Sequence, residues 1–180
     1  LLSNVMKASP SSEFYPEAMF ELGRAYVAAE KDESAFECFN RIVKNVKDYN
    51  FVAKAYVEMG SLARNQSQYN EALVYYKKVV EEMAFSDDAM AAIESIYQTK
   101  NDPEEYIAYI ESIGKGASKT ESEKETMIFN SAEQVYLSGN YDKAVTSLKA
   151  YLDKYPAGKN AYKADFYMAE SYRSLGKLEQ

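Results

Sequence analysis

A pattern of small and apolar residues recurs along this chain at intervals of 34 to 37 residues. Gly23 recurs as Gly60, and Ala35 recurs as Ala72, in each case 37 residues further on. Around these positions apolar residues return every three or four places, which is the period of one face of an α-helix. A helix–turn–helix unit repeated at a fixed period is typical of helical arrays, and it constrains the fold more than any other feature.

The copies of this unit are unequal in quality. We assign residues 1–15 to the tail of a preceding copy and its turn, and the following copies to residues 16–52, 53–86, 87–124, 125–161 and 162–180. The third copy is degenerate, with Glu94 at the glycine position and Tyr106 at the alanine position, and it ends in a polar linker at residues 114–120. Asp102 is predicted to cap the helix that starts at Pro103, with Glu105 completing a capping box.

The small residues have a physical role in such a unit. Two antiparallel helices hide their apolar stripes only if their backbones cross closely, and glycine or alanine at the crossing permits this approach. One hairpin cannot bury its own apolar face, so neighbouring copies must stack on one another. The sequence therefore predicts an all-α fold, a single array of stacked helix pairs.

Composition excludes several kinds of chemistry. The chain has no histidine and one cysteine, Cys38, so neither a Ser-His-Asp nor a Cys-His nucleophile can form. Zinc sites built from His and Cys are excluded for the same reason. We expect neither an enzyme nor a bound cofactor, and we expect Cys38 to be a buried, unreactive thiol.

Charge bears on the partners of the chain. The 21 basic and 28 acidic residues give a net charge of −7, which disfavours binding to nucleic acid. No apolar run approaches the roughly 20 residues that a transmembrane helix needs. Acidic residues such as Glu121, Glu123 and Glu125 are predicted to face water near helix ends, as are Asp87 and Asp88, and not to form a metal site.

The first copy reads Met19-x2-Leu22-Gly23-x2-Tyr26, followed by Ala35 and Phe39, with Pro156 closing the fourth copy. This spacing resembles the tetratricopeptide repeat. The resemblance implies a right-handed superhelix, an α-solenoid of antiparallel helix pairs, in which the first helix of each pair lines a concave surface. It also implies a scaffold that binds a peptide or protein partner there.

The outward positions of the first helices define a candidate groove, which pairs aromatic residues with arginine, the residue types that often carry interface energy. Its candidate partner-binding residues are Phe20, Arg24, Lys54, Glu58, Arg64, Phe129, Glu133, Tyr136, Phe166 and Arg173. Two alternatives stay open: several of these aromatic residues pack between repeats instead, or groove tyrosines bind a small ligand or a glycan.

A narrower resemblance concerns the end of the chain. Residues 151–158, YLDKYPAG, followed by Ala164-x2-Tyr167-Met168-Ala169-Glu170-Ser171-Tyr172, look like bacterial envelope tetratricopeptide proteins of the TolA-binding and outer-membrane assembly lipoprotein types. The resemblance implies a periplasmic or outer-membrane-associated scaffold.

The two ends suggest a further expectation. The chain starts at Leu1 without an initiator Met, so we expect an internal part of a longer protein that carries its signal segment elsewhere. The last helix, with Phe166, Met168, Tyr172 and Leu175, then lacks its partner helix. We expect part of its apolar face to be exposed, and we expect end-to-end self-association there.

Overall fold

The computed structural model describes residues 10–82, 87–116 and 119–177. Over these ranges the chain forms nine α-helices and no strand, so the predicted all-α fold class is confirmed. The helices are α1 (Tyr15–Ala28), α2 (Asp32–Asn45), α3 (Tyr49–Asn65), α4 (Tyr69–Glu82), α5 (Asp87–Lys100), α6 (Pro103–Ser112), α7 (Glu121–Leu137), α8 (Tyr141–Lys154) and α9 (Ala161–Ser174). The predicted tail at residues 1–9 lies outside the described residues.

The helices pack in chain order. Helix α1 packs on α2 and α3 on α4, and the two pairs meet through α2 with α3 and α1 with α3. Further along, α6 packs on α7, α7 on α8, and α9 on both α7 and α8. Contacts divide the chain into two compact units, one up to Ile96 and one from Tyr97. Within each unit, stacked helix pairs form the architecture of an α-solenoid.

One residue in the left-handed conformation ends the first helix of each pair. These residues lie at equivalent places in the repeat and have φ between 55° and 78°: Glu30, Ser67, Asn101, Gly139 and Gly176. In the first copy the Lys31 N–H donates to the Tyr26 carbonyl at 2.9 Å, and the Glu30 N–H donates to the Val27 carbonyl at 3.0 Å. This is the Schellman pattern, which satisfies carbonyl groups left over at a helix end.

The core of the first unit follows the predicted small-to-large packing. Gly23 lies against Phe39, so closely that an added Cβ would stand 2.6 Å from the ring. Gly60 lies against Tyr76 in the same way, at 2.8 Å. Ala72 is fully buried at the equivalent crossing of the second pair. The glycines therefore allow an aromatic ring to fill the space where two helices cross.

The second unit uses alanine at the same crossing. Ala132 on α7 and Ala144 on α8 are buried, and Leu148 and Tyr151 fill the space beside them. Ala164, near the start of α9, belongs to the same apolar cluster. Ala164 therefore anchors the first turn of α9 to the α7–α8 pair, and it sets which face of α9 lies against α7.

Helix caps are partly as predicted. Asp102 caps α6, and its carboxylate accepts the Glu105 N–H at 3.4 Å. The reciprocal capping box forms instead at Thr120 and Glu123, where the Thr120 N–H donates to the Glu123 carboxylate at 2.7 Å and the Glu123 N–H donates to Thr120 Oγ1 at 3.2 Å. Thr120, the last residue of the predicted linker, is therefore the N-cap of α7.

The acidic residues behave as expected with one exception. Glu121, Glu123, Asp87 and Asp88 are exposed, but Glu125 is buried, so the prediction that it faces water is wrong. Tyr151, a core tyrosine of α8, covers the Glu125 carboxylate and donates a hydrogen bond to it. Among the described residues no cluster of three potential metal ligands exists, and no described helix has the length and apolarity to cross a membrane.

Candidate functional site

The predicted groove residues all lie on the first helices of their pairs, but they differ in exposure. Those exposed are Arg24, Lys54, Arg64, Phe166 and Arg173; those half-buried are Phe20, Glu58, Glu133 and Tyr136; Phe129 is buried. The exposed side chains can contact a partner directly, whereas the buried side chain of Phe129 can only support the surface.

Phe129 corrects the prediction. Its ring is only 2% exposed and packs edge-on against Tyr151 at 5.4 Å. The Lys163 ammonium covers the ring at 5.5 Å from its centre. Phe129 is a core residue, as in the alternative in which groove aromatics pack between repeats, because a large side chain on α8 and a cation on α9 close over it.

Phe20 and Arg24, two of the predicted residues of the first unit, contact side chains of their own helix pair. Phe20 leans on Phe39 with ring centres 5.7 Å apart, so its ring extends the core. Arg24 forms an ion pair with Glu21 on its own helix at 3.4 Å. These contacts are local to α1 and its partner helix, and they do not gather the predicted residues into one place.

The second unit does bring predicted residues together, across α7 and α9. Glu133 on α7 accepts hydrogen bonds from the Lys163 ammonium at 2.6 Å and from the Tyr167 hydroxyl at 3.0 Å. Tyr136 on α7 stacks on Tyr167 with ring centres 4.3 Å apart and planes 22° from parallel. Two first helices are thus joined by an ion pair and by an aromatic stack, side by side.

The charges of this joint are mutually satisfied. The hydrogen bond from Lys163 holds the pKa of the Glu133 carboxyl below its ordinary value, and the same bond raises the pKa of the Lys163 ammonium. Burial raises the pKa of the Tyr136 hydroxyl. Both shifts favour the charged forms, so the ion pair is charged on both sides at neutral pH, and the Tyr136 hydroxyl keeps its proton.

Apolar side chains stand exposed beside this joint. Phe166 is 54% exposed and lies one residue before Tyr167, and Leu137 is 64% exposed and follows Tyr136. Leu137 shares a helix face with Glu133, four residues earlier, and Phe166 shares one with Lys163, three residues earlier. Arg173 lies further along α9 and pairs with Glu170. We call this set the α7–α9 surface: Glu133, Tyr136, Leu137, Lys163, Phe166, Tyr167, Glu170 and Arg173.

Four members of the α7–α9 surface are not among the candidate partner-binding residues: Leu137, Lys163, Tyr167 and Glu170. Leu137 is the last residue of α7, and Lys163 falls in the first turn of α9. Both could have been found by extending the i, i+3 and i, i+4 spacing from Glu133 and Phe166 by one helical turn. The arrangement offers apolar anchors beside side chains that are already paired across α7 and α9, which suits the binding of a side chain or a short segment.

Comparisons with known proteins agree with this architecture. Sequence profiles described as tetratricopeptide repeat match residues 17–48, 53–82 and 128–157, together just over half of the chain. No curated protein sequence matches the chain. The matched residues include most of the first, second and fourth copies assigned above.

Solved structures of similar fold share little sequence with the chain. A tetratricopeptide repeat protein from Parabacteroides merdae has 16% identity and a TM-score of 0.50, over 98% of this chain and 65% of that protein. MamA has 14% identity and a TM-score of 0.49, over 93% and 86%. YrrB, described as a TPR protein with an unusual peptide-binding site, has 14% identity and a TM-score of 0.49, over 99% and 87%. At 16% identity the likeness to the Parabacteroides merdae protein shows the fold alone.

Proposed function

The chain belongs to the tetratricopeptide repeat family, and we propose that it is a non-enzymatic scaffold that binds a peptide or protein partner on the concave face lined by its first helices. Proteins with this repeat typically mediate protein binding. One observation supports a particular location for this binding: the α7–α9 surface exposes Phe166 and Leu137 beside side chains that an aromatic stack and an ion pair already hold together.

Rigidity matters because binding to an ordered surface costs less conformational entropy than binding to a mobile one. The Tyr136–Tyr167 stack and the Glu133–Lys163 ion pair hold the floor of the surface before a partner arrives. Phe166 and Leu137 are then free to bury apolar area against the partner. Aromatic anchors of this kind often dominate interface energy.

Affinity capture from an extract of the native host tests this proposal. The bait is the wild-type chain beside a Leu137→Ala, Phe166→Ala double variant. A Tyr49→Ala, Val74→Ala double variant of the first unit is the matched control, because both of its side chains are also more than half exposed. Partners that wild type and the control retain, and that the α7–α9 variant loses, would support the proposal. Equal capture by all three would overturn this location.

The alternative of a glycan bound by groove tyrosines has less support. Tyr136 and Tyr167 stack on each other, so one face of each ring is covered by the other ring. Both hydroxyl groups also lie on partly buried side chains, and that of Tyr167 donates to Glu133. A rise in melting temperature with oligosaccharides, absent with peptides, would favour this alternative over a protein scaffold.

We also propose a role in assembly of the bacterial envelope, with a periplasmic or outer-membrane-associated location. Its support is the resemblance of residues 151–172 to envelope proteins of the TolA-binding type. Fractionation of host cells that express the epitope-tagged full-length protein tests the location. Recovery in the cytoplasmic fraction, with periplasmic markers cleanly separated, would refute it.

Self-association through α9 is a further part of the proposal. Two apolar residues of this helix, Phe166 and Ala169, are exposed. The other apolar residues expected at this end of the chain, Met168, Tyr172 and Leu175, are half-buried. Sedimentation velocity over a wide concentration range tests it. A concentration-dependent dimer that Ala169→Glu abolishes would support it, and a monomer at all concentrations would refute it.

A further inference from the structure

The charges of the α7–α9 surface cancel one another within the surface itself. Glu133 pairs with Lys163 at 2.6 Å, and Glu170 pairs with Arg173 three residues later on the same helix. The surface therefore carries two positive and two negative charges, each next to its opposite. These four side chains therefore add no net charge of their own that would attract a charged partner.

The two ion pairs differ in how far their side chains are removed from water. The Glu133 side chain is only 19% exposed, and its carboxylate already accepts two hydrogen bonds, so a charged ligand would have to displace Lys163 or Tyr167 to reach it. The pair of Arg173 with Glu170 is more open and contributes less, as exposed ion pairs do. Neither pair offers an unmatched charge to a partner.

What the surface does offer is apolar. Phe166 and Leu137 are two of the six large apolar side chains more than half exposed among the described residues. The ring of Phe166 lies 5.9 Å from that of Tyr167, and Tyr167 continues into the Tyr136 stack. Apolar area buried there contributes about 25 cal/mol per Å². An uncharged partner gains this without disturbing either ion pair.

We propose that the α7–α9 surface binds an uncharged segment of a partner protein through one or two apolar side chains that pack on Phe166 and Leu137. The inference rests on the proposed function and adds the chemistry of the partner. It predicts that association depends weakly on ionic strength, because no net charge is neutralised on binding.

Selection from a random peptide library displayed on phage tests this inference with the chain as bait. We expect retained peptides rich in Leu, Ile, Phe or Met and depleted in Asp, Glu, Lys and Arg relative to the starting library. Synthetic copies should bind with an affinity that changes less than about threefold between low and high salt. Phe166→Ala should weaken their binding at least about tenfold, the loss expected of an interface anchor. Val74→Ala should leave it unchanged.

The possible outcomes distinguish the inference of a neutral partner from the proposed binding function on which it rests. Retained peptides that are charged, salt-sensitive and lost with Phe166→Ala would overturn the neutral-partner inference and leave the binding surface in place. Apolar peptides that bind Phe166→Ala as well as wild type would overturn the surface. A selection that enriches nothing over an empty support would count against both, provided that circular dichroism shows a folded bait.

Discussion

The hydroxyl of Tyr151 donates a hydrogen bond to Glu125 Oε1 at 2.7 Å, which joins α8 to the beginning of α7 inside the core of the second unit. The same hydroxyl accepts the Asn160 N–H at 3.2 Å, in the loop that leads to α9. Gly158 lies so close that an added Cβ would stand 2.6 Å from Glu125 and 2.7 Å from the tyrosine oxygen. One buried hydroxyl thus ties together the three helices that form the α7–α9 surface and its support.

Removing this hydroxyl should destabilise the second unit. Tyr151→Phe leaves the Glu125 carboxylate and the Asn160 N–H without this partner, and we expect a loss of about 1–3 kcal/mol of unfolding free energy. Urea denaturation at neutral pH measures it. Tyr162→Phe is the matched control, since Tyr162 is 88% exposed and its substitution should change little. An unchanged midpoint for Tyr151→Phe would contradict the role of the hydroxyl.

Alkaline pH should remove the same contribution. Burial raises the pKa of Tyr151 from 10.0 to about 12, with the Glu125 hydrogen bond as the second cause. The folded form holds its proton more tightly than the unfolded form. The stabilisation is therefore complete below pH 10 and is lost as the pH rises towards 12. The difference in unfolding free energy between wild type and Tyr151→Phe should shrink over that window, and a constant difference would contradict the assignment.

The left-handed turns predict opposite effects of two simple substitutions. Glu30 has φ of 55°, where a side chain is strained, so Glu30→Gly should stabilise by up to about 1 kcal/mol. Gly139 occupies the equivalent place with φ of 78°, and an added Cβ would meet nothing within 4 Å. Gly139→Ala should therefore destabilise by about 1 kcal/mol through backbone strain alone. Thermal melts of both variants check the signs, and two shifts of the same sign would refute this account.

Phe129 and Phe166 occupy equivalent places on their helices, yet they should respond differently to truncation. Phe129→Ala removes a core ring and should cost about 3–5 kcal/mol of unfolding free energy. Phe166→Ala removes a half-exposed ring and should cost less than about 1 kcal/mol. Chemical denaturation of the two variants side by side measures this contrast. Similar losses in both would contradict the burial described for this pair.

Cys38 reports on the first unit. Its side chain is fully buried, and burial raises the pKa of the thiol from 9.0 to about 11. A two-unit rise alone lowers the thiolate population about 100-fold at mildly alkaline pH. We expect a thiol reagent to label native protein at least that much more slowly than protein unfolded in urea. Labelling at comparable rates would show that the helix bearing Cys38 is open to solvent.

The repeated features of the fold could be predicted from the sequence because they depend on short spacings. Gly23 and Ala35 mark a crossing of adjacent helices, and the polar break between them marks the turn. Those signals are local, and each is repeated elsewhere in the chain. The cap at Asp102 is local in the same sense, and it is confirmed.

The candidate site could be predicted only in part, because burial depends on distant residues. Phe129 and Phe166 look alike in sequence, but Tyr151 and Lys163, 22 and 34 residues after Phe129, cover only the first. Glu125 looks like a solvated acid, and it is buried because a tyrosine 26 residues away reaches it. No local spacing carries this information, since it depends on which side chains the packing of α8 and α9 places nearby.

The central claim is that a partner protein contacts the α7–α9 surface. Site-specific photocrosslinking tests it most directly, with a photoreactive phenylalanine analogue placed at position 166 in one variant and at position 74 in another. Both sites are exposed to a similar extent, at 54% and 56%, and they lie in different units. We predict a defined crosslinked protein from host cells at position 166 and none of it at position 74. The same product at both positions, or a product at position 74 alone, would contradict the claim.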